Sequence, residues 1–327
     1  MGDTGNEHRM RAFAIDRFGE HGSVRDLPEP VAAPGEVLVR VTFAGVNPVD
    51  WKIRDGLRGE RPFPWVLGGD FAGIVEVAGS GVTAYRPGDR IFGTARKHGS
   101  FAERIVVEAD NNEAAIAPIH DGLSDAQAAA LPIPGLTATG SLHLLDLAAG
   151  DTLFVYGATG AVGALAVQIA HARGLRVIAT ARSGKEHVAR ALGADEVVAY
   201  DREDVIAAVK DAHPAGVAGA LDLVSDREGI KRLAEIVRPG GRVVSALRAA
   251  DETWFAERTI VASNIVMSYT PQSSPAGLRE LAGYVTSGAV AVHIDATRPL
   301  EAAGDILDAI KDRRISGKIV LDLNRAV

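Results

Sequence analysis

The sequence predicts an α/β protein with two parts, a small β-rich domain and a doubly wound parallel sheet. Between residues 11 and 121, short strand-like runs alternate with turn signals, which is typical of an irregular all-β domain. From Leu153 onward, apolar strands alternate with helical stretches, a pattern that builds a parallel sheet covered on both faces. The third observation is a glycine turn, residues 157–163, which joins the first of these strands to an Ala-rich helix.

The composition is that of an ordinary globular protein, and 327 residues are enough for two domains. A net charge of −7 without a Lys/Arg cluster argues against a nucleic-acid surface. Apolar runs are too short to span a bilayer, and the polar N-terminus lacks a signal core. The chain has no cysteine, which excludes disulfides and Cys-ligated zinc. We therefore expect a cytoplasmic protein that binds neither nucleic acid nor membrane.

In the β-rich part, Glu36 to Phe43 alternates between apolar and polar residues and predicts a half-buried strand. Residues 1–9 are polar, and we expect them to form a disordered extension. A helix is expected to start at Ser124 and to be interrupted by Pro132 and Pro134. Three further short strands are predicted here, at Gly73–Val77, Asp89–Phe92 and Phe101–Val107.

In the α/β part, five apolar runs predict the strands of the parallel sheet: Leu153–Tyr156, Arg176–Thr180, Glu196–Ala199, Ala220–Val224 and Arg242–Ala246. Helical patterns fill the gaps between them. The rest of the chain adds two helices and a closing strand, predicted near Gly277–Thr286, Leu300–Lys311 and Lys318–Leu323.

The glycine turn is how a Rossmann unit places a dinucleotide pyrophosphate on a helix N-terminus. Gly160 lets the backbone approach the phosphates, and Gly163 lets the helix, Ala161 to Arg173, pack closely on the first strand. Ala158 stands where the first glycine of the G-x-G-x-x-G pattern usually falls. The residues expected to contact the cofactor here are Ala158, Thr159, Gly160, Ala161, Val162 and Gly163.

The end of the second strand of the sheet indicates which dinucleotide is bound. An NAD-specific fold closes this strand with an Asp or Glu on the ribose 2′-hydroxyl. Here the strand ends at Thr180 and Ala181 without a carboxylate at its tip. Positive charge and hydrogen-bond donors follow instead, which favours NADPH over NADH; an alternative is that the two cations are merely solvated at a helix start. The cofactor-binding residues predicted at this tip are Thr180, Arg182, Ser183 and Lys185, with Tyr200 closing the pocket.

Three segments carry a family resemblance: residues 45–56, residues 67–75 continuing to Asp89, and residues 131–138 ahead of the glycine turn. In this order and spacing they resemble the medium-chain dehydrogenase/reductase superfamily. The match is to its zinc-independent quinone oxidoreductase branch, which includes the zeta-crystallins. The resemblance runs from about Met10 to Leu323.

The resemblance implies a GroES-like catalytic domain formed by residues 1–124 and 270–327, around a Rossmann NADPH-binding domain at 125–269. It also implies a homodimer. Zinc-dependent relatives carry a Cys and a His-Glu pair in the segments that here hold Asn47 to Asp50 and Gly69-Asp70. We therefore expect no metal site, and Asp50, Asp70 and His98 lack metal-ligand spacing.

The resemblance also implies roles for single residues. Asn47 is expected to orient the nicotinamide ribose or to polarise the substrate oxygen, and it also fits an Asn-Pro turn that closes a strand. Lys52 stands where the family often has Tyr, so it is either a donor to substrate or a surface residue. The Gly317-Lys318 pair recurs in the family and is interpreted as a turn with a snorkelling lysine. Further cofactor contacts are expected at Thr137, alternatively a helix-interior threonine, and at Ser225, Ala246 and Leu247.

These observations together predict a zinc-independent, NADPH-dependent reductase that transfers hydride to a quinone or an α,β-unsaturated carbonyl. Such acceptors are activated, so positioning and hydrogen-bond polarisation replace a Lewis acid. One alternative is an alkenal or enoyl reductase of lipid-like substrates, which would share every motif. Another is a non-catalytic NADPH-binding sensor or crystallin-like protein.

Overall fold

The computed structural model describes residues 8–324 except 61, 96–98, 110–114, 267–269 and 316. In chain order its strands are β1 (Arg9–Ile15), β2 (Ser23–Pro28), β3 (Glu36–Val46), β4 (Trp65–Val66), β5 (Asp70–Ala78), β6 (Arg90–Thr94), β7 (Arg104–Glu108), β8 (Ala115–Pro118), β9 (Thr152–Tyr156), β10 (Arg176–Ala181), β11 (Glu196–Ala199), β12 (Val217–Asp222), β13 (Val237–Ser245), β14 (Val261–Asn264), β15 (Ala296–Pro299) and β16 (Ile319–Asp322). Its α-helices are α1 (Pro48–Arg54), α2 (Asp125–Ala130), α3 (Pro132–Leu145), α4 (Ala161–Ala172), α5 (Glu186–Ala191), α6 (Val205–Ala212), α7 (Glu252–Ala256), α8 (Pro275–Thr286) and α9 (Ala303–Lys311).

The chain divides into two compact units. The first, here the β-rich unit, comprises Met1–Ile133, Ser274–Thr286 and Val292–Val327. The second, the parallel-sheet unit, comprises Pro134–Ser273 with Ser287–Ala291. The structure thus separates the chain near residues 133 and 273, whereas the sequence analysis placed the domain boundaries at 124 and 269.

The β-rich unit is organised around β3, the strand predicted from its alternating pattern. Val37, Val39 and Val41 point into the core and are at most 2% exposed. β3 pairs antiparallel with β5 on one side and with β7 and β16 on the other, in the sheet order β15-β16-β3-β5-β6-β8. A separate three-stranded sheet has the order β2-β1-β4. Because β3 touches strands from both ends of the chain, it brings distant residues together.

β1 begins at Arg9, whose backbone pairs with Pro28, so the expectation that this residue is part of a disordered extension is wrong; residues 1–7 lie outside the described residues. The expected interruption at Pro132 is confirmed, because α2 ends at Ala130 and Pro132 begins the new helix α3; Pro134 lies within the first turn of α3 and does not interrupt it. Proline fits the first position of a helix, because the N–H that it lacks has no intrahelical partner there.

The parallel-sheet unit confirms the predicted doubly wound fold. Its six strands are all parallel and have the order β11-β10-β9-β12-β13-β14. Strand order therefore reverses between β9 and β12, and ligands of such sheets bind in the crevice at the carboxyl ends of those strands. β12 and β13 begin earlier than predicted, and the edge strand β14 was not predicted.

The contact between α4 and the end of β9 generates a test. A Cβ on Gly163 would lie 2.2 Å from the Gly157 carbonyl oxygen and 2.7 Å from the Ala158 Cα, so Gly163→Ala must push α4 off the strand. We expect a loss of about 1–3 kcal/mol in the free energy of unfolding, measured by urea denaturation. The matched control is Gly160→Ala, whose Cβ would meet only the Gly157 oxygen at 3.6 Å. Equal stability of the two variants would contradict this close packing.

Candidate functional site

In the β-rich unit, four polar side chains form a buried cluster: Asn47, Asp50, Asp70 and Lys318, each at most 4% exposed. Asn47 follows β3, Asp70 opens β5 and Lys318 precedes β16. β3 pairs with both other strands at this end, with Gly45 opposite Asp70 and Val46 opposite Ile319. The pairing register of the sheet therefore assembles the cluster from three distant parts of the sequence.

The Asn47 amide is held between opposite charges. The Lys318 ammonium donates to Asn47 Oδ1 at 2.7 Å, and Asn47 Nδ2 donates to Asp70 Oδ2 at 2.8 Å. Lys318 Nζ also lies 3.6 Å from Asp70 Oδ2, and the Ile133 N–H donates to Asp70 Oδ1 at 3.0 Å. These contacts fix which end of the amide is oxygen and which is nitrogen. Asn47 Nδ2 has one further, long contact, 3.4 Å to the Gly45 carbonyl oxygen.

Asp50 completes the cluster from the first turn of α1. Its Oδ2 accepts the Asn47 backbone N–H at 2.7 Å, which caps the helix. Its Oδ1 is buried without a hydrogen-bond partner among the described residues. Burial raises the pKa of Asp50 to about 7 and that of Asp70 to about 6, although Lys318 and the hydrogen bonds oppose the shift at Asp70. Burial also lowers the pKa of the Lys318 ammonium.

Lysine placement in the structure differs from the sequence interpretation. Lys318 does not snorkel to the surface; the residue is 4% exposed and its ammonium binds Asn47. Lys52, which was named as a possible catalytic donor, lies half-buried on α1 with its Nζ 5.7 Å from the Trp51 ring centroid. Burial lowers the pKa of Lys52 as well. The structure brings Lys318, rather than Lys52, to Asn47, and the one signal in the sequence was that the Gly317-Lys318 pair recurs in the family.

In the parallel-sheet unit, the glycine turn follows β9 at the crevice. The left-handed residue of this turn is Gly157, with φ of 93°, so the sharp turn falls one residue before Ala158, which stands where the first glycine of the pattern usually falls. Its N–H donates to Thr180 Oγ1 at 3.0 Å, and Thr180 is 1% exposed. Thr180 therefore anchors the turn. Sequence reasoning missed Gly157 because the pattern was aligned on Ala158, which is fully buried.

The first turn of α4 has the features of an anion site. Gly160 is the N-cap of this 12-residue helix and offers no side-chain oxygen to the first N–H groups. Thr159, Gly160, Ala161 and Val162 are partly exposed, while Gly163 is buried against the turn. Free N–H groups and the positive end of the helix dipole both favour a phosphate. This turn could hold the pyrophosphate of a dinucleotide.

At the tip of β10, Arg182 and Lys185 are exposed, as is Tyr200 beyond β11. Ser183 has a partner that the sequence analysis missed: its N–H and its hydroxyl both donate to Asp201, each at 2.7 Å. Those hydrogen bonds lower the pKa of Asp201. Sequence reasoning looked for an acid only at the tip of the second strand, whereas Asp201 follows the neighbouring strand β11.

The remaining predicted residues surround the crevice or lie on α3. The Ser225 hydroxyl donates to Asp222 Oδ1 at 2.7 Å at the end of β12. The Ala246 N–H donates to the Asp222 carbonyl oxygen at 2.9 Å, and Leu247 is 44% exposed. Thr137 is half-buried on α3. The position of Ser225, Ala246 and Leu247 at the carboxyl ends of β12 and β13 matches the binding edge of a doubly wound sheet.

Within the described ranges, no three His, Asp or Glu side chains converge as a metal site would require. His98 lies outside the described residues. Among the helices that the structure describes, none combines the length and apolarity needed to cross a membrane.

Two family models match the chain. The alcohol dehydrogenase GroES-like domain matches residues 33–119, and the zinc-binding dehydrogenase model matches residues 192–321. The name of the second model mentions zinc, but the chain contains no cysteine, so it cannot form a Cys-ligated site.

Individual relatives agree with these models over most of the chain. Quinone oxidoreductase of Rattus norvegicus is 32% identical, covering 95% of this chain and 97% of the relative. NADPH-dependent alkenal/one oxidoreductase, chloroplastic, of Arabidopsis thaliana is 30% identical, covering 98% and 81%. The solved structure of the quinone oxidoreductase from Coxiella burnetii superposes with a TM-score of 0.85 at 28% identity, over 97% of this chain and all of that one. The chain therefore belongs to the quinone oxidoreductase branch of the medium-chain dehydrogenase/reductase superfamily, and it is an oxidoreductase of that type.

Proposed function

We propose that the protein is a zinc-independent, NADPH-dependent reductase that transfers hydride to a quinone or an α,β-unsaturated carbonyl compound. The observation that carries this proposal is the glycine turn with the open first turn of α4, in one unit with the cationic tip at Arg182 and Lys185. The names of the Rattus and Arabidopsis relatives support both the acceptor class and the cofactor. When bound, the dihydronicotinamide supplies the hydride.

The parallel-sheet unit is proposed to hold the cofactor. It corresponds to the NADPH-binding domain that the sequence analysis predicted at 125–269. The N–H groups at the start of α4 would bind the pyrophosphate, and Thr180 would keep the turn in place through its bond to Gly157. Arg182 and Lys185 would pair with the 2′-phosphate, with Tyr200 beside them. Ser225, Ala246 and Leu247 would contribute through the crevice at the ends of β12 and β13.

The β-rich unit, the predicted domain at 1–124 and 270–327, is proposed to supply the polar group for the reaction. Lys318 and Asp70 occupy one lone pair and one hydrogen of the Asn47 amide. The second amide hydrogen has only the 3.4 Å contact with Gly45, so it is the donor we assign to the nicotinamide ribose or the substrate oxygen. A fixed donor stabilises charge on the reduced acceptor without reorganisation. Water supplies the proton, with Lys52 as the alternative donor.

Two alternatives from the sequence analysis remain. The alkenal/one name of the Arabidopsis relative supports the first, an alkenal or enoyl acceptor of lipid-like substrates in place of a quinone, and this alternative shares all the residues above. A non-catalytic NADPH-binding sensor would bind the cofactor without turnover. A homodimer remains a prediction from the family resemblance, and light scattering of the purified protein tests it. A cytoplasmic location remains a prediction from the composition.

The reaction itself is tested by the loss of reduced-nicotinamide absorbance. We expect the protein to oxidise NADPH with 1,4-benzoquinone, 9,10-phenanthrenequinone or an alkenal, and to keep that rate in the presence of EDTA, because no step needs a metal. The acceptor that turns over fastest distinguishes quinone from enone. Tight NADPH binding without turnover of any acceptor would favour the sensor alternative, and loss of activity with EDTA would refute the metal-free mechanism.

The phosphate pocket is tested by the double variant Arg182→Ala/Lys185→Ala. Removing both cations should lower the ratio of kcat/KM for NADPH to that for NADH by about tenfold, since a charge-assisted hydrogen bond contributes roughly 1.5–3 kcal/mol and exposure weakens it. The control is Lys231→Ala/Arg258→Ala, which removes two cations beside Trp254 in the same unit. An unchanged ratio in the first variant would refute the assignment of the 2′-phosphate pocket.

The protonation of the buried cluster predicts a pH dependence of stability. The pKa of Asp50 is about 7 in the folded chain, above its ordinary value of 3.8. The native state therefore binds a proton at Asp50 more tightly than the unfolded state does. The resulting stabilisation is complete below pH 3.8 and is lost as the pH rises through 7. At roughly 1.4 kcal/mol per pKa unit, the free energy of unfolding should fall by about 2–3 kcal/mol between pH 5 and pH 8.

Asp50→Asn should remove the Asp50 contribution and leave the smaller fall that Asp70 causes with its pKa of about 6, because an amide does not titrate and its oxygen still accepts the Asn47 N–H. Urea unfolding at pH 5, 6.5 and 8 measures the slope for each protein. Asp121→Asn, which changes an exposed carboxylate of the same unit, should keep the wild-type slope. Parallel curves for the wild type and Asp50→Asn would show that Asp50 stays ionised throughout.

A further inference from the structure

The tip of the second strand in the parallel-sheet unit carries an unexpected negative charge. β10 and β11 pair in parallel, with Ala181 opposite Ala199, so the residues that follow each strand meet. Asp201 Oδ1 accepts the Ser183 N–H and Oδ2 accepts the Ser183 hydroxyl, both at 2.7 Å. Two short bonds from one residue fix the carboxylate in place.

This carboxylate competes for the groups that would bind a 2′-phosphate. It occupies both donors of Ser183, and Arg182 Nε lies 3.9 Å from Asp201 Oδ2. Hydrogen bonds from Ser183 lower the pKa of Asp201, so it is ionised at neutral pH. The cationic tip therefore consists of two positive charges, Arg182 and Lys185, with one negative charge fixed beside Arg182.

NADPH and NADH differ in how their adenosine ribose interacts with a carboxylate at this position. A 2′-phosphate carries nearly two negative charges and is repelled by a neighbouring carboxylate. A free ribose 2′-hydroxyl instead donates a hydrogen bond to a carboxylate, the role that an acid at the second strand has in NAD-specific sheets. Here the same chemistry comes from the loop after the third strand in sequence.

We propose that Asp201 is a specificity-determining residue that weakens the preference for NADPH, so that the protein also accepts NADH. This inference rests on the proposed function, since it concerns the adenosine end of the same cofactor site. It differs from the sequence expectation, in which the cations, the hydrogen-bond donors and the lack of a carboxylate at the strand tip all favour NADPH.

The test uses Asp201→Asn in the full chain. The variant removes the charge, while its side-chain oxygen still accepts the Ser183 N–H and its amide can donate to the Ser183 hydroxyl. We expect the ratio of kcat/KM for NADPH to that for NADH to rise about fivefold or more. Removing a partly exposed repulsion between a carboxylate and the 2′-phosphate dianion has an effect of about this size. Asp201→Glu, which keeps the charge, should stay near the wild-type ratio.

Binding of nucleotide fragments gives a readout that does not depend on turnover. By calorimetry, Asp201→Asn should tighten 2′,5′-ADP about fivefold and leave 5′-AMP unchanged or weaker. The matched control is Glu257→Gln, an exposed carboxylate between α7 and β14. It lies at the opposite edge of the sheet from β11, roughly 24 Å away at about 4.8 Å per strand, so screening removes its influence.

The outcomes separate this inference from the proposed function. If Asp201→Asn binds the nucleotides with the same preference between NADPH and NADH as the wild type, the proposed role of Asp201 is refuted. The proposed function would still stand. Weaker binding of 2′,5′-ADP by Asp201→Asn would also refute that role, because Asp201 would then be positioning Ser183 for the phosphate. If neither fragment binds the wild type and NADPH is not oxidised, the proposed function fails and this inference fails with it.

Discussion

The buried ammonium of Lys318 is the interaction on which the polar cluster of the β-rich unit depends. An isolated charge in a protein interior costs several kcal/mol, so it persists only where other groups compensate it. Here the Asp70 carboxylate, the Asn47 amide oxygen and the Val46 carbonyl oxygen do so. The same contacts determine the orientation of Asn47. The position of the proposed hydrogen-bond donor is therefore a consequence of how one lysine charge is satisfied.

The proposed cofactor site in the parallel-sheet unit has the opposite character, because the N–H groups of its first helical turn have no side-chain cap. The first turn of α4 begins at a glycine that has no capping oxygen, and the turn before it is fixed by Thr180. The charges of the polar cluster in the β-rich unit are thus buried and compensated. The proposed cofactor site in the parallel-sheet unit instead presents uncapped N–H groups and exposed cations. This division fits the proposed roles, with a rigid polar group for the reaction and an anion-binding surface for the cofactor.

Features encoded by local patterns were predictable from the sequence. The alternation in β3, the apolar strands of the parallel sheet and the glycine turn each follow from the identities of adjacent residues, and the structure confirms the doubly wound fold. Lys318 could not be placed in this way, because its partner Asn47 is 271 positions away and only the strand pairing brings them together. Asp201 was missed for the same reason, since its contact with Ser183 joins the segments that follow two neighbouring strands, β10 and β11.

The discontinuous composition of the β-rich unit has a consequence for synthesis on the ribosome. The strip of β3 from Phe43 to Val46 pairs with β16, which is synthesised long after β3. The parallel-sheet unit is contiguous apart from a short segment, and its sheet can form before β16 is synthesised. Until β16 arrives, this part of β3 is an open edge of a nascent chain, the type of surface that aggregates or recruits chaperones. The last strand therefore closes the fold as well as the site.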